Sequence, residues 1–471
     1  MRFCEILLIL LNLAILLRPL FAFSRRWRWA DLLPLALLAM LIVHLIVEGY
    51  RWQMVPLYLL SLVLGLLAGN RLRHPAGTTR TLPPTRRTYL GVVLGLIWLV
   101  PAAALPILFP VPVLPAPDGP YAVGSRTYYL RDETRDEPFT PDPADKREIM
   151  VQVWYPAGDN RGAPAAPYIE GLSIAAPVIA ARLDLPGFLL DHLNLVRTHV
   201  QQDVPVASNG APFPVILFSH GLRGLRQQNT ALFISLASHG YVVVSTDHTY
   251  GNILTIFPDN RVVFYDEALA FPPGLSVVAA GKRLVNTWSQ DNRFVLDQLT
   301  VWQDTAGHPL SGRVDLGRVG LAGHSTGGGT AVETCGRDDR CQAVAVLDGW
   351  IEAVSEEVVA TGLAQPAIYL KTDEWLSPEN SAAGAALITH SSGAVYLVTI
   401  ADAAHFDFSD LPLFSPLSPL LGLSGSINSQ RALEIVNGYV LAFFDQTLKG
   451  QPAPLLTNDS SRFPEVTFEG P

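Results

Sequence analysis

Residues 319–329 constrain the fold of this chain more than any other segment. They read Val-Gly-Leu-Ala-Gly-His-Ser-Thr-Gly-Gly-Gly, a short apolar run that leads into a G-x-S-x-G string and then into residues compatible with a helix. A strand that turns so sharply into a helix brings its own backbone close together, so the positions two before and two after the serine must be nearly free of side chain. Gly323 and Gly327 meet that need. The pattern predicts a turn that lifts the hydroxyl of Ser325 clear of a sheet, where it can act as a nucleophile.

Strand and helix patterns alternate on both sides of this turn. The predicted strands are 121–130, 147–154, 213–218, 241–246, 318–322, 343–347, 367–370 and 395–399, and the predicted helices are 230–238, 284–299 and 431–444. Such alternation favours a mostly parallel, doubly wound sheet. Together with the serine turn it predicts the α/β-hydrolase fold, whose active residues lie at the carboxyl ends of the strands.

A serine nucleophile of this fold needs an acid and a histidine base, in the chain order serine, acid, histidine. Only two histidines follow Ser325. His405 lies in a loop just past a predicted strand and is the predicted base, whereas His390 precedes that strand and is interpreted as a surface residue. Asp348 and Asp373 each end a predicted strand, and the fold alone leaves both open as the acid.

Two backbone amides are the predicted oxyanion donors. One belongs to Thr326, which follows the nucleophile, and the other to Leu222, in the loop after strand 213–218. His220 in that loop is interpreted as structural. The His, Cys, Asp and Glu residues show no metal-ligand spacing, so we expect neither a metal nor a cofactor.

The first 113 residues have a different character from the rest. The mean hydropathy of the chain is +0.27, and only 16% of its residues are charged. The high mean hydropathy comes from four apolar stretches, which are 4–23, 32–50, 54–69 and 89–110. The second and fourth are long enough to cross a hydrocarbon core, which takes about 20 residues. We therefore predict an all-α transmembrane bundle of about four helices, which contacts the bilayer.

Charge predicts the orientation of that bundle. Arginines cluster after the first stretch and after the third, at positions 25, 26, 28, 71, 73, 80, 86 and 87. Such loops lie in the cytoplasm by the positive-inside rule. The remainder of the chain is then extracytoplasmic, on an integral protein of a bacterial cytoplasmic membrane. Cys335 and Cys341 bracket a tight polar loop, and a disulfide between them would persist in that oxidising compartment.

A Pro-rich stretch, 110–120, separates the two parts of the chain. We predict a transmembrane domain over 1–113, a linker over 114–120 and a catalytic domain over 121–471. Residues 1–114 hold 11 basic against 3 acidic residues, a balance of +8; because the whole chain carries −9, the remainder carries −17. So acidic a domain argues against nucleic acid as a partner.

Five motifs resemble one hydrolase family. They are Val151-Gln-Val-Trp-Tyr-Pro156, Phe218-Ser-His-Gly-Leu222, Leu236-Ala-Ser-His-Gly-Tyr-Val-Val243, Gly323-His-Ser-Thr-Gly-Gly328 and Leu347-Asp-Gly-Trp350. In this order they are similar to the plasma-type platelet-activating factor acetylhydrolases and related bacterial α/β-hydrolases. The resemblance implies Ser325 as nucleophile, His405 as base and Asp348 as acid, while Asp373 stays the alternative acid that the fold rule left open. The chain departs from the plasma enzyme at Thr326, where that enzyme has an aromatic residue, and in its added membrane domain.

The resemblance also implies a substrate class. We expect a membrane-anchored serine hydrolase that cleaves short-chain acyl groups from phospholipids, as a 1-alkyl-2-acetylglycerophosphocholine esterase does. One alternative is a broad-specificity carboxylesterase, lipase or polyesterase, and another is a non-catalytic binding module with a hydrolase fold. A panel of acyl lengths separates the first two, and labelling by a fluorophosphonate separates both from the third.

Overall fold

The computed structural model describes residues 1–21, 32–73, 84–158, 162–182, 184–457 and 462–471. By its internal contacts the chain divides into two units. The first comprises Met1–Pro112, Leu172–Val196 and Phe414–Leu417, and the second comprises Val113–Gly171, Arg197–Leu413 and Ser418–Pro471. All the predicted site residues fall in the second unit.

The first unit is helical. Its helices are α1 (Phe3–Leu17), α2 (Leu33–Val47), α3 (Val55–Arg73), α4 (Arg86–Leu108) and α5 (Leu172–Arg182), with a 3₁₀ helix over Gly187–Leu195. The last two elements come from the middle of the chain. Within this unit the indole of Trp52 packs edge-on against Phe188, with ring centroids 5.6 Å apart, and its Nε1–H donates to the carbonyl of Leu189 at 3.2 Å. A segment far along the sequence therefore packs on the N-terminal helices.

Two of the described helices are long and apolar enough to cross a membrane by length and composition, namely Phe3–Leu20 and Arg86–Leu108. The expectation that stretch 32–50 is long enough is wrong, because α2 has only 15 residues and spans about 22 Å. It ends where Gly49 adopts a φ of +80°. Of the arginines that predict the orientation, those at 25, 26, 28 and 80 lie outside the described residues.

The described helices α1 to α4 carry apolar side chains outward and several polar ones inward. Leu35, Ile46, Leu66 and Ile97 are among the many exposed apolar residues, with Leu66 74% exposed. Polar side chains instead meet inside the unit, where Glu5 Oε1 lies 3.0 Å from Arg51 Nε and Asn12 donates to Ser61 at 2.8 Å. A water-soluble bundle has the opposite arrangement.

The second unit is built on one large sheet. Its strands are β1 (Val123–Asp136), β2 (Lys146–Pro156), β3 (Val200–Gln202), β4 (Phe213–Ser219), β5 (Val242–Asp247), β8 (Val314–His324), β9 (Cys341–Leu347), β10 (Ala367–Lys371), β11 (Val395–Ile400) and β12 (Val466–Glu469), and β6 (Leu254–Ile256) and β7 (Val262–Phe264) form a separate hairpin. The order across the sheet is β12-β11-β10-β9-β8-β4-β5-β2-β1-β3. The strands from β11 to β5 run parallel, and β2 and β12 pair antiparallel at the two sides.

Helices cover this sheet. They are α6 (Thr230–Ser238), α7 (Glu267–Ala270), α8 (Val277–Asp304), α9 (Thr326–Cys335), α10 (Glu356–Thr361), α11 (Pro378–His390) and α12 (Ser429–Lys449). The core between the layers is rich in Val, Leu and Ile from β4, β5, β8 and β9, most of them fully buried. A parallel sheet buried on both faces requires such uninterrupted apolar strands. The predicted mostly parallel α/β sheet is thus confirmed, and its parallel strands from β11 to β5 end on the same side as Ser325.

Candidate active site

The serine turn connects β8 to α9. β8 ends at His324 and α9 begins at Thr326, so Ser325 alone makes the turn, with φ 57° and ψ −123°. A non-glycine residue in this region is strained, and the surrounding structure has to hold it there. The Ser325 N–H donates to the carbonyl of Leu347 at 3.0 Å, and the Ser325 carbonyl accepts from the N–H of Trp350 at 2.9 Å. The neighbouring strand β9 and the loop after it thereby fix the turn.

The two glycines of the turn are required by close approach. A Cβ on Gly323 would lie 2.1 Å from the carbonyl oxygen of Gly327, and one on Gly327 would lie 2.0 Å from the carbonyl oxygen of Ser219. The loop after β4 also comes close to the turn, since a Cβ on Gly221 would lie 3.2 Å from the Cβ of Ser325. The loop with the predicted oxyanion donor therefore lies directly against the serine.

An acid and a histidine meet beside this turn. Nδ1 of His405 lies 2.7 Å from Oδ2 of Asp348. Asp348 is fully buried, and its other oxygen accepts from the backbone N–H of Thr372 at 3.0 Å and from the Thr372 hydroxyl at 3.2 Å. These donors turn Oδ2 toward the imidazole, of which about a quarter is exposed. The arrangement leaves Nε2 as the basic atom of His405.

The other candidates lie elsewhere. Asp373 follows Thr372 but is exposed, and in the described part of the chain it forms no hydrogen bond with His405. His390, at the exposed end of α11, contacts the carbonyl of Val359 through Nδ1 at 2.9 Å. The structure therefore brings Asp348 and not Asp373 to His405. Over the described residues no hydrogen bond joins Ser325 to His405; such bonds often tighten only when substrate is bound.

The peptide between Gly221 and Leu222 is held in one orientation. Its carbonyl accepts from Nδ1 of His220 at 2.7 Å and from the N–H of Gly224 at 2.8 Å. Since the N–H of a trans peptide points opposite to its C=O, these bonds also set the direction of the Leu222 N–H. Neither that N–H nor the N–H of Thr326 has a hydrogen-bond partner among the described residues. Both amides are available as donors.

A buried network of hydrogen bonds contacts Ser219, the last residue of β4, where this loop begins. Nε2 of His248 lies 3.0 Å from the hydroxyl of Ser219, and its Nδ1 lies 3.0 Å from Oδ2 of Asp291. Arg147 binds the same carboxylate through two nitrogens, at 3.0 and 2.6 Å. Burial alone would raise the pKa of Asp291, but the charge of Arg147 and the bond from His248 hold it well below its usual range. Since all these groups are buried, the network supports the loop and is closed to substrate.

Burial lowers the pKa of both His220 and His324. Burial, with the charge of His248 adding to it, lowers the pKa of His220 to about 3. Burial and the charge of His405 likewise hold the pKa of His324 well below its usual value. The interpretation of His220 as a structural residue agrees with its contacts, because Nδ1 binds Gly221 and Nε2 accepts from the N–H of His248 at 3.2 Å.

A disulfide joins Cys335 to Cys341. Cys335 is the last residue of α9 and Cys341 is the first of β9. The bond therefore connects the helix that follows Ser325 with the strand that directly precedes Asp348.

Sequence reasoning gave no role to Gln228, Thr372 or Asp291. Their contacts are between segments far apart in the chain, and no spacing rule shows them. His324 was visible inside the serine motif, but its hydrogen bonds were not. Within the described ranges no group of three or more His, Cys, Asp or Glu side chains could hold a metal ion, and the expectation of a site without a metal or cofactor stays a prediction.

Comparisons with known proteins agree with this geometry. A family model described as platelet-activating factor acetylhydrolase, isoform II, matches residues 109–257 and 292–453. The chain is 25% identical to a platelet-activating factor acetylhydrolase of Cavia porcellus over 369 residues, 71% of this chain and 78% of that protein. It is also 25% identical to a probable 1-alkyl-2-acetylglycerophosphocholine esterase of Arthroderma benhamiae over 405 residues, 80% of this chain and 98% of that protein.

A solved structure shares the fold. It is a ferulic acid esterase from Streptomyces cinnamoneus, 34% identical, with a TM-score of 0.64 over 76% of this chain and 99% of that one. The family model covers more than half of the chain, and these relatives are all named as hydrolases or esterases. This chain therefore belongs to the platelet-activating factor acetylhydrolase isoform II family, and it is a carboxylic ester hydrolase of the α/β-hydrolase fold.

Proposed function

We propose that this esterase is anchored in a membrane and removes short acyl chains from phospholipids, with Ser325 as nucleophile, His405 as base and Asp348 as the acid that orients it. The observation that carries the proposal is the 2.7 Å contact between His405 Nδ1 and buried Asp348, next to the strained turn at Ser325. A neutral imidazole whose Nδ1 donates to a carboxylate presents Nε2 as a proton acceptor.

The first half of the reaction forms an acyl-enzyme. Nε2 of His405 takes the proton of the Ser325 hydroxyl as Oγ bonds to the ester carbonyl carbon. The carbonyl oxygen becomes an oxyanion, which accepts hydrogen bonds from the N–H groups of Leu222 and Thr326. The carbonyl re-forms as the carbon–oxygen bond to the alcohol breaks, and His405 gives its proton to the leaving alkoxide. Asp348 stabilises the imidazolium between these transfers.

The second half repeats these steps with water. His405 takes a proton from water, whose oxygen attacks the acyl carbon, and the same two amides bind the second oxyanion. Collapse of this intermediate breaks the bond to Ser325, and Oγ recovers its proton from His405. The products are one carboxylic acid and one alcohol, here a short-chain acid and a lysophospholipid.

The nucleophile is tested by Ser325→Ala. We expect ester hydrolysis to fall to background and labelling by a fluorophosphonate to disappear. Ser381→Ala on α11, which removes a hydroxyl that donates to the carbonyl of Glu374 at 3.0 Å, is the matched control and should retain both. Hydrolysis by Ser325→Ala at the wild-type rate would contradict the assignment. A wild-type chain that neither hydrolyses esters nor takes the label would favour the non-catalytic binding module.

The substrate class is supported by the names of the Cavia porcellus and Arthroderma benhamiae relatives. It is tested with 1-alkyl-2-acyl-glycerophosphocholines that differ only in acyl length, from acetyl to palmitoyl. We expect kcat/KM to be highest for acetyl and to fall steeply beyond a few carbons. Equal rates along the series would contradict a short-chain phospholipid specificity.

The second candidate function is that of a broader carboxylesterase. It is supported by the ferulic acid esterase from Streptomyces cinnamoneus, which is 34% identical to this chain and is covered over 99% of its length. Methyl ferulate and p-nitrophenyl butyrate, assayed beside the phospholipid series, distinguish the two. A kcat/KM on these simple esters above that on the acetyl phospholipid would favour the broader activity.

Membrane anchoring is supported by the character of the first unit. Its described helices expose leucine and isoleucine and bury the pair of Glu5 and Arg51, as helices surrounded by lipid do. After alkaline carbonate washing we expect the full chain to stay with the membrane fraction, and detergent to release it. Release by carbonate alone would contradict an integral anchor.

The predicted orientation is tested by a reporter fused after residue 120. Alkaline phosphatase is active only outside the cytoplasm, and green fluorescent protein is fluorescent only inside. We expect the phosphatase fusion to be active. Fluorescence instead would contradict the extracytoplasmic placement of the hydrolase unit.

A further inference from the structure

Two side chains outside the triad connect three parts of the site. The Gly221 N–H donates to Oε1 of Gln228 at 3.1 Å, and Nε2 of Gln228 contacts Nδ1 of His324 at 2.9 Å. Nε2 of His324 in turn contacts the backbone carbonyl of His405 at 2.8 Å. Gln228 and His324 form a relay of hydrogen bonds. It joins the loop that contains Leu222 to the backbone of His405, and it passes through His324, the residue before Ser325.

Each bond of the relay has one possible direction. A backbone N–H can only donate, so Oε1 of Gln228 faces Gly221 and its donor group Nε2 faces His324. Nδ1 of His324 must therefore accept, and Nε2 carries the proton that it donates to the carbonyl of His405. The second hydrogen of Gln228 Nε2 goes to Oδ1 of Asn229 at 3.2 Å. All the polar atoms of the Gln228 side chain are then used.

The relay lies where small displacements matter. Gly221 directly precedes Leu222, and His324 directly precedes Ser325, so both side chains act on neighbours of the reacting groups. The imidazoles of His324 and His405 also pack together, with ring centroids 4.5 Å apart. A second contact between the same segments comes from Asn229, whose Nδ2 donates to the carbonyl of Phe408 at 2.6 Å. The loop after β4 is thereby joined to the segment that begins with His405.

We propose that Gln228 and His324 are positioning residues, which fix the oxyanion loop and the backbone of His405 relative to Ser325. The proposal rests on the proposed roles of Ser325, His405 and Leu222. Neither residue of the relay exchanges a proton with substrate. They keep the Leu222 N–H and the imidazole of His405 at fixed positions relative to each other, so that both can reach the carbonyl group of the same substrate ester.

The expected effect is on turnover. A displacement of about 1 Å at a catalytic group can cost about 100-fold in rate, and loss of an oxyanion donor costs about 100- to 1000-fold. Breaking the relay leaves donor and base present but less well held. We therefore expect kcat to fall by about 10- to 100-fold with little change in KM, since His324 is buried and the polar atoms of Gln228 are bonded to protein groups.

The test uses the full chain in detergent with p-nitrophenyl acetate and a fluorophosphonate. Gln228→Met and His324→Phe keep the size of each side chain and remove its hydrogen bonds. Gln227→Met is the matched control, because Gln227 is a buried neighbour whose amide donates to Oε1 of Gln152 at 2.9 Å, away from the site. We expect both relay variants to lose kcat and to label slowly, and Gln227→Met to keep wild-type values.

Two further variants separate positioning from a general loss of structure. The double variant Gln228→Met/His324→Phe should be no slower than the slower single variant, because either change breaks the same relay. His324→Gln keeps an amide donor toward the His405 carbonyl and should recover part of the rate. Wild-type kcat in both single variants, an equal loss in Gln227→Met, or losses that multiply in the double variant would overturn the proposal.

Ser325→Ala, assayed in parallel, keeps this result distinct from the proposed function. An active Ser325→Ala chain contradicts the nucleophile itself. An inactive Ser325→Ala chain together with unchanged relay variants contradicts only the positioning role.

Discussion

Asp348→Asn tests the site most sharply, because the change keeps the shape of the side chain and reverses one hydrogen bond. In the wild type, Oδ1 of Asp348 accepts from the Thr372 N–H and Oδ2 accepts from Nδ1 of His405. The Thr372 N–H can only donate, so an amide at this position must place its oxygen there. Its NH₂ group then faces Nδ1 of His405, which can no longer donate.

The magnitude follows from that forced geometry. His405 can satisfy the new amide only as the tautomer with its proton on Nε2, which is unable to accept the proton of Ser325. In a serine protease triad the same change lowers kcat about 10⁴-fold with the geometry intact, equivalent to about 5.4 kcal/mol of activation free energy. We expect a loss of that size here, with the thermal midpoint changed by only a few degrees because the bond to Thr372 remains.

Initial rates with p-nitrophenyl acetate measure the loss, and circular dichroism on heating measures the fold. Asp373→Asn is the matched control, since Asp373 is exposed and one residue from Thr372, and its kcat should stay within about twofold of wild type, as expected for a surface change. A kcat above about a tenth of wild type in Asp348→Asn, or a large loss in Asp373→Asn, would refute this assignment of the acid.

Three further predictions concern stability, each measured on the full chain in detergent. Replacing Cys335 and Cys341 by alanine removes a link with a sequence separation of 6 and should lower the free energy of unfolding by about 2 kcal/mol; an unchanged denaturation midpoint would contradict a stabilising disulfide. Arg147→Met leaves the buried carboxylate of Asp291 with less charge compensation and should cost about 3–5 kcal/mol, so a loss below about 1 kcal/mol would show that the network is not stabilising. Because the pKa of His220 is lowered to about 3 in the folded chain, its contribution is complete above about pH 6.5, where the unfolded histidine is also neutral. As the pH falls from there toward 3, this contribution should decrease by up to about 1.4 kcal/mol per pH unit; His220→Asn should flatten that slope in chemical denaturation at several pH values, and an unchanged slope would contradict the low pKa.

The sheet was predictable because its strands carry local patterns. Continuous apolar runs such as 213–218 and 343–347 are typical of strands buried on both faces of a parallel sheet, and both are strands in the structure, as β4 and β9. The edge strands β3 and β12 and the separate hairpin of β6 and β7 were missed. These strands are short, with three or four residues each, and the edge strands pair with strands far away in the sequence.

The apolar N-terminal stretches were predictable as helices, but their ends were not. Stretch 32–50 reads as one span, yet α2 stops at Val47, before a glycine with positive φ. Composition shows that a segment is apolar. Where its hydrogen bonding ends depends on single residues and on the packing around them.

The sequence by itself determined the serine turn, the order of the candidate residues and the α/β-hydrolase class, because each follows from local chemistry: two glycines around Ser325, apolar runs for buried strands, and loops after them. It did not decide whether Asp348 or Asp373 is the acid, since both follow predicted strands and the order serine, acid, histidine fits either one. The tertiary structure decided which of them meets His405, because a hydrogen bond 57 residues apart in the chain depends on how β9, β10 and the His405 loop come together. The tertiary structure also decided the relay of Gln228 and His324, because its hydrogen bonds join the loop after β4, the end of β8 and the His405 loop.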